Sequence, residues 1–92
     1  MLTITENKRG FRFEIAFDDD TKAWLEFRWL KGDMQIMSTL VPALQRGRGI
    51  GNKLVEYAFN RAAHHGYKIK AFCPFAQLYI TKHPEVAHLV VQ

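Results

Sequence analysis

The stretch LVPALQRGRGIGNKLVEYAF, residues 40–59, decides the fold. It opens as the end of an extended run that must stop at Pro42, which has no N–H to give to a ladder. It then passes through Gly47, Gly49 and Gly51, interleaved with Arg46 and Arg48, and turns helical. Leu54, Val55, Ala58, Phe59 and Ala62 recur at i, i+1, i+4, i+5 and i+8, the face of an amphipathic helix that starts near Ile50 and is capped at Gly66. Strand, glycine-rich turn and helix in that order leave the first N–H groups of the helix unpaired and aimed at one spot. That spot attracts phosphate: glycines let the backbone approach without a Cβ in the way, and Arg46, Arg48 and Lys53 add full charges. Two familiar phosphate loops are excluded, because no Gly-Lys-Ser/Thr ending is present and the spacing is G-x-G-x-G rather than G-x-G-x-x-G. A plain glycine-rich connection has the same spacing.

Upstream the pattern reads in twos. FRFEIAF, residues 11–17, alternates Phe11, Phe13, Ile15 and Phe17 against Arg12, Glu14 and Ala16, a half-buried strand. LTIT before it predicts a short first strand over 2–5, with Asn7 and Gly10 in the turn that follows. Asp18, Asp19 and Asp20 turn the chain into KAWLEFRWL, where Ala23, Leu25, Phe27 and Trp29 alternate against Trp24, Glu26, Arg28 and Leu30. Lys31, Gly32 and Asp33 lead to MQIMSTLV. Connections this short imply an antiparallel meander of about four strands. Downstream, YKIKAFCPF predicts a fifth strand closed by Pro74, then a helix from about Ala76 to His83, with Pro84 opening a further turn. Strands followed by helix, strand and helix imply an α+β, or mixed α/β, fold.

Ninety-two residues, 48% hydrophobic and 24% charged, suit one soluble domain over 1–92. The net charge of +4 favours anionic partners without choosing among them. A single cysteine, Cys73, forms no internal disulfide and points to a reducing compartment, the cytoplasm. No stretch reaches the roughly 18 apolar residues of a membrane span. His83 and His88 have no Cys or His pair at ligand spacing, so no metal is expected.

Beyond these readings the residues resemble a known family. Arg46-x-x-Gly49-x-Gly51 is similar to the Q/R-x-x-G-x-G/A signature of the GNAT acetyltransferase superfamily, in which this turn holds the diphosphate of acetyl-coenzyme A (acetyl-CoA). CPFAQLYITKHPE, residues 73–85, resembles the Cys-Pro-Phe/Tyr…Tyr-Ile…His-Pro-Glu stretch of the short single-domain GNAT-like acetyltransferases. STLVP, residues 38–42, is similar to their His-Thr-x-Val-Pro, with Ser38 where many members carry histidine. The resemblance runs from about Phe11 to Val90. It implies a GNAT-like fold with the fifth strand beside the fourth and acetyl-CoA as cosubstrate. The diphosphate would lie on Arg46, Gly47, Arg48, Gly49, Ile50, Gly51, Asn52 and Lys53, with the pantetheine arm along Leu40 and Val41.

The resemblance also nominates the catalytic residues. Cys73 would lie beside the thioester, as a nucleophile or as inert packing. Tyr79 matches the position of a tyrosine that protonates the leaving thiolate, or else a packed aromatic. Transfer of an acetyl group to an amine is therefore the expected function, directly or through an acetylated Cys73. The acceptor is not legible in the sequence. Two other classes stay open: a coenzyme A-binding protein without efficient catalysis, for which Ser38 speaks, and a basic nucleic-acid-binding module. Against the last, Arg12, Arg28, Lys68 and Lys70 are spread along the chain rather than gathered, and no specific nucleic-acid partner is expected.

Overall fold

The computed structural model describes residues 2–91. Five strands, β1 (Ile4–Asn7), β2 (Arg12–Ala16), β3 (Lys22–Leu30), β4 (Asp33–Leu40) and β5 (Lys68–Ala71), form one sheet in chain order. The first four pair antiparallel. β5 joins β4 parallel, a pairing that requires a crossover, here made by α1 (Ile50–His65). A second helix, α2 (Pro74–Lys82), and a 3-10 segment (Pro84–Leu89) complete the chain. This is the α+β, GNAT-like arrangement implied by the sequence. No helix among the described residues is long and apolar enough to cross a membrane.

The two periodicities meet in the core. Phe13, Ile15, Ala23, Leu25, Phe27, Met34 and Ile36 face inward from the sheet, and Leu54, Val55, Ala58, Phe59 and Ala62 cover them from α1. Phe13 and Phe27 stack at 4.4 Å between centroids. Gly66 ends α1 in the left-handed region at φ 72°, with Tyr67 N–H bonded to the Ala62 carbonyl, the cap expected from sequence. The other face of the sheet is solvated: Arg12 lies over the Trp24 ring at 4.3 Å, and Glu26 pairs with Arg28 at 2.7 Å. The far edge of β5 is covered by the C-terminal tail, where Val91 N–H reaches the Ile69 carbonyl at 2.8 Å.

Three local expectations are corrected. β1 extends through Asn7, which pairs with Arg12 while its side-chain oxygen accepts the Gly10 N–H at 3.0 Å; one residue serves both strand and turn. Phe11 falls outside β2 at φ 54°, so that its carbonyl can take the Phe27 N–H. Cys73 is not in β5: the strand ends at Ala71, and Cys73 is the N-cap of α2 with Pro74 in the first turn, where a missing N–H costs nothing.

β4 carries an irregularity that positions the site. Phe27 pairs with Ile36 but Glu26 pairs with Ser38, leaving Met37 as an extra residue. The bulge shifts the alternation, so that Thr39, not Ser38, continues the inward face. Pairing with β5 ends at Ile36 opposite Ala71, closed by Phe72 N–H to the Ile36 carbonyl at 2.9 Å. β4 runs on to Leu40. Beyond Ile36 its edge on the β5 side has no strand partner among the described residues.

Candidate active site

The unpaired edge of β4 leads directly into the glycine turn. After Pro42 a 3-10 segment (Ala43–Gln45) drops the chain to Arg46, whose Nε donates to the Val41 carbonyl at 3.2 Å. Gly47 at φ 84° and Gly49 at φ 73° put alternate residues in the left-handed region, which wraps successive amides around a concave surface. The first helical bond of α1 runs from Lys53 N–H to the Gly49 carbonyl at 3.0 Å. Among the described residues, none of the backbone N–H groups from Gly47 to Asn52 has an acceptor. Unsatisfied donors at a helix N-terminus are an anion site in waiting.

These amides open onto a groove of about 310 Å³ lined by Val41, Arg46, Gly47, Gly49, Ile50, Gly51 and Asn52 on one wall and by Phe75, Leu78 and Lys82 of α2 on the other. A second depression along Thr39, Leu40, Val41, Arg46 and Phe75 continues it beside the free edge of β4. The ring of free amides therefore runs on into an extended, backbone-lined channel.

Two expected cations lie elsewhere. Arg48 donates to Gln45 Oε1, and its guanidinium lies 5.8 Å from the Phe17 ring. Gln45 in turn donates to Asp19 Oδ2 at 3.2 Å, and hydrogen bonds from Thr21 hold the Asp19 carboxyl below its usual pKa. Arg48 thus fastens the turn to the β2–β3 hairpin. Lys53 sits on the opposite flank of α1 with Glu56 and Tyr57. The sequence treats the three cations alike; packing separates them and leaves Arg46 at the groove.

The nominated catalytic residues are also parted. Cys73 is buried, 2% exposed. Its sulfur accepts the Ala76 N–H at 3.3 Å and touches Thr39 Oγ1 at 3.3 Å, so it reaches the channel through Thr39. Tyr79 packs between Phe59, at 5.1 Å, and His83, stacked at 4.1 Å, and lines neither depression. Burial, helped by Glu56 and Glu85, raises its phenol above the ordinary value of 10.0. Ser38 points to the solvated face of the sheet, where its hydroxyl reaches Glu26 at 3.4 Å. Thr39, Phe75, Leu78 and Lys82 were not singled out in the sequence. For the last three the signal was present: positions i, i+3 and i+7 form one stripe of α2, separate from the buried Ala76 and Tyr79.

A larger cavity of about 450 Å³ lies among Glu6, Lys8, Trp29, Arg61, His65 and Tyr67. Its one carboxylate, Glu6, is already held by Arg61 at 2.9 Å, and the glycine turn does not reach it. No group of three His, Cys, Asp or Glu side chains among the described residues is placed to hold a metal ion.

Comparison with known proteins follows the same lines. A family model described as GCN5-related N-acetyl-transferase matches residues 12–89. A solution structure from Staphylococcus aureus, described as a "GCN5-like putative N-acetyltransferase", superposes with a TM-score of 0.77 at 24% identity, over 98% of this chain and 88% of that one. No curated protein sequence gives a significant match.

Proposed function

Because the chain belongs to the GCN5-related N-acetyltransferase family, we propose that it moves an acetyl group from acetyl-CoA to an amine. The observation that carries this reading is the run of acceptor-less amides from Gly47 to Asn52 at the head of the free β4 edge. The amides and Arg46 suit a diphosphate. The edge from Met37 to Leu40 suits a ligand that carries amide groups of its own, as the pantetheine arm does.

When bound, acetyl-CoA supplies the thioester: the amine nitrogen forms the new C–N bond as the C–S bond breaks, the nitrogen losing one proton and the released thiolate gaining one. The chain's part is to hold and orient. The turn fixes the diphosphate end, Leu40 and Val41 line the channel, and Thr39 with Cys73 closes its inner end. We assign Cys73 to positioning, because its sulfur serves as the N-cap of α2 and has no histidine or carboxylate hydrogen-bonded to it that would activate a nucleophile.

A second reading is binding without efficient turnover. The burial of Cys73, the position of Tyr79 outside the groove and the engagement of Ser38 with Glu26 favour it. One set of measurements separates the two. Calorimetry with acetyl-CoA is expected to give saturable binding that Gly49→Val weakens, and a screen of amines for release of free thiol is expected to find an acceptor. Binding with no acceptor would favour the second reading, and no binding at all would defeat both.

A further inference from the structure

We propose that the exposed stripe Phe75, Leu78 and Lys82 on α2 is the subsite for the nucleotide end of the coenzyme, with Lys82 binding the phosphomonoester on its ribose rather than the diphosphate. This rests on the coenzyme reading above.

Phe75 rests on Gly51, but the fold leaves much of the stripe open. α2 buries Ala76 and Tyr79 against the core, while Phe75 and Leu78 stay 41% and 51% exposed. Large apolar side chains left open on one face of a short helix, opposite an anion cradle, suit a ligand that is apolar and flat next to its phosphates. Lys82 forms no ion pair or hydrogen bond among the described residues, yet lines the groove with Asn52 and Gly49. The diphosphate has its own donors in the turn amides and Arg46.

The order along α2 matches the order of groups along the coenzyme. Cys73, at the N-cap, marks the inner end through Thr39. Phe75 lies on Gly51, in the first turn of α1. Lys82 is seven residues beyond Phe75, about 10 Å along the helix axis. A cation at that distance falls past the diphosphate, where the ribose and its phosphomonoester lie. Phe75 and Leu78 between them offer a face for the adenine.

The test compares coenzyme A with dephospho-coenzyme A, which lacks only the phosphomonoester, by calorimetry on the full chain. Wild type is expected to bind coenzyme A more tightly by about fivefold, the upper range for an exposed ion pair. Lys82→Ala is expected to lose that preference while binding dephospho-coenzyme A as wild type does, and Lys82→Glu to invert it. Leu78→Ser is expected to weaken both ligands equally, and circular dichroism melts confirm that each variant is folded. A wild type without preference, or a Lys82→Ala protein that keeps it or weakens both ligands alike, would overturn the proposal. Failure of wild type to bind either compound would instead overturn the coenzyme reading on which it rests.

Discussion

The Phe75 ring lies so close over Gly51 that a Cβ added there would come within 2.5 Å of the ring edge. Gly51 therefore serves the packing of α2 on the mouth of α1. Gly49 differs: nothing lies within 4 Å of an added Cβ, but its φ of +73° strains any other residue. Gly49→Ala is expected to lower stability by about 1 kcal/mol through backbone strain. Gly51→Ala is expected to push the partly exposed Phe75 ring aside, with little change in stability and weaker acetyl-CoA binding. Thermal melts beside calorimetry check the split; equal effects of the two variants on both measurements would refute it.

Cys73 offers a chemical and a structural outcome that are separable. As the N-cap of α2, its replacement by alanine is expected to cost about 1 kcal/mol, whereas serine keeps an acceptor for the Ala76 N–H. If transfer is direct, intact-protein mass spectrometry after incubation with acetyl-CoA alone shows no adduct, and Cys73→Ala retains most turnover. A single acetyl group that hydroxylamine removes, absent from Cys73→Ala, would overturn direct transfer.

How much was legible in the sequence depends on how local the cause was. The alternation of Ala23, Leu25 and Phe27 and the helical repeat from Leu54 to Ala62 are local, and both survive in the core. The shape of the glycine turn was legible because positive φ at Gly47 and Gly49 is written in residue type. The bulge at Met37 was not: it depends on the register with β3, and it decides that Thr39 rather than Ser38 faces Cys73. The spacing of Phe75, Leu78 and Lys82 marks one stripe of α2, but only tertiary packing tells whether it or the Ala76 and Tyr79 stripe faces the core. Arg46, Arg48 and Lys53 carry the same charge in the sequence and point to three places in space.

Tyr79 provides a pH test. Burial raises its phenol above the unfolded value of 10.0, so the folded state holds the proton more tightly than the unfolded one. This contribution is fully present below pH 10 and is lost as pH rises through the higher folded value. Denaturation followed from pH 8 to 11 is expected to show stability falling above pH 10, with a shallower fall in Tyr79→Phe. Since the hydroxyl has no hydrogen-bond partner among the described residues and is not cut off from solvent, and lies outside the groove, Tyr79→Phe is expected to lose far less than the ~10²–10⁴-fold typical of a general acid. A loss in that range would return Tyr79 to the chemistry.

The three cations give the sharpest test of where the diphosphate sits. Arg46 is held at the groove by its bond to the Val41 carbonyl, Arg48 is tied to Gln45 over Phe17, and Lys53 lies on the far flank of α1. A charge that meets phosphate weakens in effect as salt rises, because screening shortens its reach to about 8 Å at physiological ionic strength. Arg46→Ala is expected to weaken acetyl-CoA binding by about tenfold at low salt, in keeping with a charged hydrogen bond of at least ~1.5 kcal/mol, and to flatten the salt dependence. Lys53→Ala is expected to change affinity by less than about fivefold, the limit for an exposed charge. Arg48→Ala is expected to act on stability more than on affinity, because it frees Gln45 and loosens the turn from Asp19. Calorimetric titrations of the three variants at low and physiological salt decide the matter. If Arg48→Ala or Lys53→Ala flattens the salt dependence as much as Arg46→Ala does, the diphosphate does not lie in this groove.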